Sequence, residues 1–67
     1  MYRYYIYIRN EPQGFYGSLD TAKREAKRMS SRYDDVATYR IVRLNERTLH
    51  KTNVGNYRKG IYRTYLG

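Results

Sequence analysis

The chain has 67 residues, enough for one domain (1–67) with one modest core, in a size range where folded chains are only marginally stable. It has no cysteine, which excludes a disulfide framework and a thiolate metal site, so stability must come from packing, from self-association into a homo-oligomer or from a partner. Fourteen Lys and Arg against six Asp and Glu give a formal charge of +8, a field that attracts polyanions and excludes an acidic decoy of nucleic acid.

Ten of the apolar and aromatic residues are Tyr. Each Tyr hydroxyl has to be wet or paired, so many of these rings belong at the edge of the core with their tips near solvent. No window resembles a secretory signal, and no run approaches the ~18 apolar residues of a membrane span. The expectation is a cytoplasmic protein with no membrane partner.

From Tyr2 to Arg9 the residues alternate with period two, with Tyr2, Tyr4, Ile6 and Ile8 on one face and Arg3, Tyr5, Tyr7 and Arg9 on the other. This predicts a half-buried strand. Asn10-Glu11-Pro12-Gln13-Gly14 has turn chemistry and predicts a loop reaching Gly17. Ser18 is an N-cap candidate, Asp20 suits the first helical turn, and Ala22, Ala26, Met29 and Tyr33 recur at helical spacing. A helix over about Ser18–Arg32 follows, with a small inner face able to lie close to a sheet. Its outer face carries Lys23, Arg24, Lys27, Arg28 and Arg32.

Asp34-Asp35 ends that helix, and Val36–Leu44 is rich in branched and aromatic residues, which predicts a second strand. Its facing is open between Tyr39, Ile41 and Arg43 on one side and Val36, Thr38, Arg40, Val42 and Leu44 on the other. Asn45-Glu46 is read as a tight reversal into a third strand, Arg47–Asn53. Val54-Gly55-Asn56 is read as a second turn before a fourth strand, Tyr57–Tyr65, with Gly60 as a bulge or close approach. The last residues could instead form a basic arm. The predicted fold is α+β, β-α-β-β-β: a small antiparallel sheet of three to four strands with one helix packed on one face.

Nothing in the chain points to catalysis. His50 has no second imidazole or cysteine beside it and reads as a surface histidine, so no metal or cofactor is expected. The adjacent carboxylates Asp34-Asp35 lack a second group for acid or base work. Gly14, Gly17 and Gly55 match neither a phosphate-binding loop nor a dinucleotide fingerprint. The remaining candidates are surfaces. Arg3, Tyr5, Tyr7 and Arg9 interleave rings with guanidiniums, the chemistry that stacks bases while neutralising phosphates. The helix stripe, with Lys23, Lys27 and Arg28 as candidate contacts, has only Glu25 among its cations. Ten of the fourteen cations are Arg, whose planar fork suits phosphate and carboxylate. The blander reading of both surfaces is a solvated face of a basic protein. A four-stranded RNA-recognition fold is excluded by the single helix and the missing glycine-aromatic motif.

Ser18-Leu19-Asp20-Thr21-Ala22-Lys23-Arg24-Glu25-Ala26, then Thr38-Tyr39-Arg40-Ile41 and the Asn45–Leu49 turn, resemble small phage and mobile-element proteins. They look in particular like a type I-F anti-CRISPR family with a single helix on an antiparallel sheet. The resemblance implies a stoichiometric inhibitor, in the cytoplasm of a bacterial host, that docks on a guide-RNA surveillance complex. The expected partner is thus nucleic acid or a nucleoprotein complex. A general nucleic-acid-binding accessory protein and a small phage structural protein are the alternatives.

Overall fold

The alternation of Tyr2–Ile8 and the branched run around Ile41 place two strands side by side at the centre of one sheet. The computed structural model describes residues 1–32 and 37–64. Its elements are β1 (Tyr2–Ile8), β2 (Glu11–Tyr16), α1 (Leu19–Arg32), β3 (Tyr39–Asn45), β4 (Lys51–Arg58) and β5 (Ile61–Thr64). The strands form one antiparallel sheet in the order β2-β1-β3-β4-β5, and α1 packs across one face. The α+β class with one helix on an antiparallel sheet is as expected. The strand number is five, not three to four, and the order is β-β-α-β-β-β.

The additional strand is β2, where a loop was expected. Arg9 and Asn10 both take left-handed backbone (φ 53° and 70°) between the paired residues Ile8 and Glu11. They form a two-residue hairpin turn of the kind that matches strand twist. Pro12 is tolerated because β2 is an edge strand, where a missing N–H breaks few ladder bonds, and the register shifts between Ile6 and Tyr7 opposite it. Arg9 therefore ends the first strand and sits in a turn.

The second half is also divided differently. Asn45 closes a longer turn: its Oδ1 accepts from the N–H groups of Arg47 (3.0 Å) and Thr48 (3.3 Å), and its own N–H donates to the His50 carbonyl (2.9 Å). The next strand accordingly starts at Lys51, not Arg47. Val54-Gly55-Asn56 is no turn but the middle of β4, where a register shift opposite Ile41 and Val42 marks a bulge. The actual turn is Lys59-Gly60, again with both residues left-handed (φ 53° and 79°). Gly60 makes the close approach expected of it, since a Cβ there would lie 2.5 Å from Ser31 Oγ, and Gly55 makes a second: a Cβ there would lie 2.6 Å from Cζ of Tyr62.

Ser18 caps α1, its Oγ accepting from the Thr21 N–H at 3.2 Å, and Asp20 lies in the first turn. Ala22 and Ala26 are fully buried and Ser30 nearly so, a small stripe at four-residue spacing that brings the helix down on the sheet. Ile6, Tyr39, Ile41 and Tyr57 complete the core, with Tyr4, Ile8, Met29 and Tyr62 at its margin. Ser30 also ties the helix to the last hairpin: its Oγ donates to the Lys27 carbonyl (3.1 Å) and accepts from the Gly60 N–H (3.0 Å). The expectations for Tyr33, Asp34-Asp35, Val36 and Tyr65 lie outside the described residues.

Candidate nucleic-acid interface

Because Ile6 and Ile41 face the helix, their neighbours along β1 and β3 face away from it. Arg3, Tyr5 and Tyr7 are paired across the sheet with Leu44, Val42 and Arg40, and Tyr5 with Phe15 of β2. Beyond β3 the same face continues with Lys51, Asn53, Asn56 and Arg58 of β4, then Ile61 and Arg63 of β5. This open face has no helix over it. The facing of β3 left open by its alternation is thereby settled, with Arg40, Val42 and Leu44 on the open side.

Three rings gather on β1 and β2. The centroids of Tyr5 and Phe15 are 5.7 Å apart and those of Tyr5 and Tyr7 6.3 Å apart, all tilted. Phe15 is 55% exposed, a large apolar ring left in water on an edge strand. Cations lie against these rings: the Arg3 guanidinium is 4.8 Å from the Phe15 centroid, Arg40 is 5.4 Å and Lys51 Nζ 5.9 Å from that of Tyr7. The negative face of each ring attracts the cation set against it. Arg3 also pairs with Glu46, and hydrogen bonding to Tyr5, then to Glu46, raises its pKa above the ordinary guanidinium value. It stays charged at any physiological pH.

Two shallow hollows flank Tyr7. One is lined by Tyr7, Arg9, Asn10, Thr38 and Arg40, the other by Tyr7, Arg40, Val42, Lys51 and Asn53. Arg40 borders both, and among the described residues its buried Nε has no hydrogen-bond partner. A third hollow between β4 and β5 is lined by Thr38, Asn56, Arg58, Lys59, Ile61 and Arg63.

Of the predicted contact residues, Arg3, Tyr5, Tyr7 and Arg9 thus come together on the open face, Arg9 from the turn at its end. Lys23, Lys27 and Arg28 lie on the opposite side of the molecule, on α1. There Arg28 is paired with Glu25 (2.6 Å and 2.9 Å), and Lys23 Nζ sits 4.4 Å from the Tyr62 centroid, over the helix-covered side of the sheet. Lys27 is exposed. Phe15, Arg40 and Lys51 were not singled out from the sequence. Phe15 was hidden in a presumed loop, whereas Arg40 becomes a partner of Tyr7 once β1 and β3 pair in register.

Among the described residues there is no cluster of three or more His, Cys, Asp or Glu side chains that could hold a metal ion, and no helix is long and apolar enough to cross a membrane. No family model matches the chain, and no curated protein or solved structure matches it either.

Proposed function

We propose that this protein is a non-enzymatic binding protein that engages nucleic acid, free or within a nucleoprotein, through the open face of its sheet. The observation that carries this reading is the company of Tyr5, Tyr7 and Phe15 with Arg3, Arg9, Arg40 and Lys51 on a face that no element among the described residues covers. Cations supply sequence-independent attraction to phosphate, and rings supply contact area for bases or ribose. The resemblance to a type I-F anti-CRISPR family makes a guide-RNA surveillance complex the specific target, with the protein acting as a stoichiometric inhibitor.

A general nucleic-acid-binding protein is the second reading, favoured by exposed cations on both sides of the molecule, Lys27 and Arg24 on the helix as well as the sheet set. The two are separated by mixing the purified protein with a purified type I-F guide-RNA complex and its target DNA. The inhibitor reading expects a one-to-one complex and loss of target binding. Binding to guide RNA and to unrelated RNA alike, lost steeply with salt, favours the general reading. On the inhibitor reading, Tyr5→Ala with Tyr7→Ala should abolish binding, while charge reversal at Lys23, Lys27 and Arg28 should weaken it far less; on the general reading the charge reversal should weaken binding strongly as well. Loss of the guide-RNA complex by the charge reversal alone moves the site to the helix.

A further inference from the structure

The open face is unequal from one edge to the other. Its rings, Phe15, Tyr5 and Tyr7, all lie on β2 and β1. Across the other three strands the face carries Arg40, Lys51, Arg58 and Arg63, with Asn53, Asn56 and Ile61 between them and, among the described residues, no ring. Arg40 marks the seam, its guanidinium over the last ring.

Resting on the nucleic-acid reading above, we infer that this face takes unpaired rather than duplex nucleic acid, with bases over the rings of β1 and β2 and the sugar-phosphate backbone over the cations of β3, β4 and β5. Two features lead there. At ~4.8 Å between strands the five-stranded face is roughly 19 Å across, too wide to enter a major groove of ~12 Å that admits a helix or a two-stranded ribbon. A duplex would meet it through phosphates alone and leave three rings facing paired, stacked bases they could not reach. An unpaired strand offers its base faces to those rings, and stacking tolerates any sequence.

Arg40 fixes where the backbone crosses the seam. It lines the hollow beside Tyr7, and Lys51 brings a second cation to the same hollow, its Nζ lying 3.5 Å from the Tyr7 hydroxyl. A phosphate seated there meets Arg40 and Lys51 together. On this side of the sheet Glu46 is held by Arg3.

The test titrates the protein with four probes of equal length at one salt concentration: oligothymidylate, oligouridylate, an abasic oligomer and a blunt duplex. Intrinsic Tyr fluorescence and anisotropy of a labelled probe are read together. The inference expects the two single strands to bind at least about tenfold more tightly than the abasic oligomer and the duplex, and to quench Tyr fluorescence where the abasic oligomer does not. A preference between the thymidylate and uridylate arms identifies DNA or RNA as the better ligand. Abasic or duplex probe binding as well as the single strands overturns the inference and leaves the broader nucleic-acid reading standing, whereas no binding by any probe overturns the inference and confines the broader reading to nucleic acid held within a nucleoprotein.

Two variants sharpen it. Tyr5→Leu with Phe15→Leu keeps apolar bulk in the sheet and should bring oligothymidylate down to the abasic affinity with an unchanged salt slope. Lys51→Gln should instead lower affinity for every probe and shrink the salt slope by about one. If the ring variant alters the slope and the Lys51 variant does not, the assignment of bases and backbone is reversed.

Discussion

Both faces of the sheet are rich in tyrosine, yet the two sets of rings are used in different ways. On the helix side Tyr39 and Tyr57 are buried, and Tyr57 stacks at 4.9 Å on Tyr62, which in turn lies under Lys23. On the open side Tyr5 and Tyr7 are half-buried, Phe15 is more exposed still, and cations border the rings in place of a helix. A small chain with few aliphatic residues fills its core with rings on one face and leaves the same chemistry accessible on the other. Folding and binding should therefore separate by face, and substitutions on the two sides should fail in different assays.

The largest expected effect is in the core. Ile41 is fully buried between β1 and β4, paired with Ile6 and Gly55. Ile41→Ala should cost about 2–5 kcal/mol, against a total stability of about 3–10 kcal/mol for a domain of this size. Most of that variant should be unfolded or melt at a much lower temperature by circular dichroism. Tyr5→Ala on the open face should lower the melting temperature far less. Equal losses from the two substitutions would break the distinction between the faces.

Gly55 tests how closely the helix-side rings pack. A Cβ at this position would fall 2.6–2.7 Å from ring atoms of Tyr62, so Gly55→Ala should push that ring off Tyr57 and cost about 1–3 kcal/mol. In a Tyr62→Ala background the clash is gone and the same substitution should be neutral or stabilising, since Gly weakens a strand interior. Denaturant midpoints of the four proteins in that cycle measure the coupling. Additive effects would mean that Tyr62 does not hold Gly55 to its size.

These two positions also show how far the fold was legible in sequence. The facing of β1, the span of α1 and its Ser18 cap follow from strong local signals: strict alternation, alanines at helical spacing, and a capping hydroxyl. Gly55 was misread because a glycine between Val54 and Asn56 has the composition of a turn, while its real reason is a ring from β5, a neighbour only after folding. Asn10 and Pro12 misled in the same way. The turn is only two residues long, and Pro12 fits a strand because that strand is an edge, a fact about sheet order that local composition does not contain. The candidate site was half legible for the same reason. Arg3, Tyr5, Tyr7 and Arg9 follow from one strand's alternation, but Phe15, Arg40 and Lys51 join them only through pairing.

A smaller effect is expected at the link between helix and last hairpin. Ser30→Ala removes the acceptor of the Gly60 N–H and should cost about 1 kcal/mol, the usual size for a partly buried donor left without its partner. Amide exchange at Gly60 should quicken more than exchange in β1. Uniform acceleration across the sheet would show that the link contributes only to global stability.

The smallest effect is a pH dependence carried by Tyr57 on the helix side. Burial, and secondarily the neighbouring Tyr62, raise the Tyr57 pKa above the ordinary tyrosine value. In the unfolded chain Tyr57 releases its proton near pH 10, whereas in the folded chain it holds the proton to higher pH. The folded state therefore binds more protons in that range, and stability falls as pH rises. The contribution is fully present below about pH 10 and is lost as pH climbs through the folded pKa. Tyr57→Phe removes the titrating group while keeping the ring, so its denaturant midpoint should fall less than that of the parent chain between neutral and strongly alkaline pH. If the variant instead loses as much as the parent over that range, burial of the Tyr57 hydroxyl on the helix side does not govern the alkaline loss of stability.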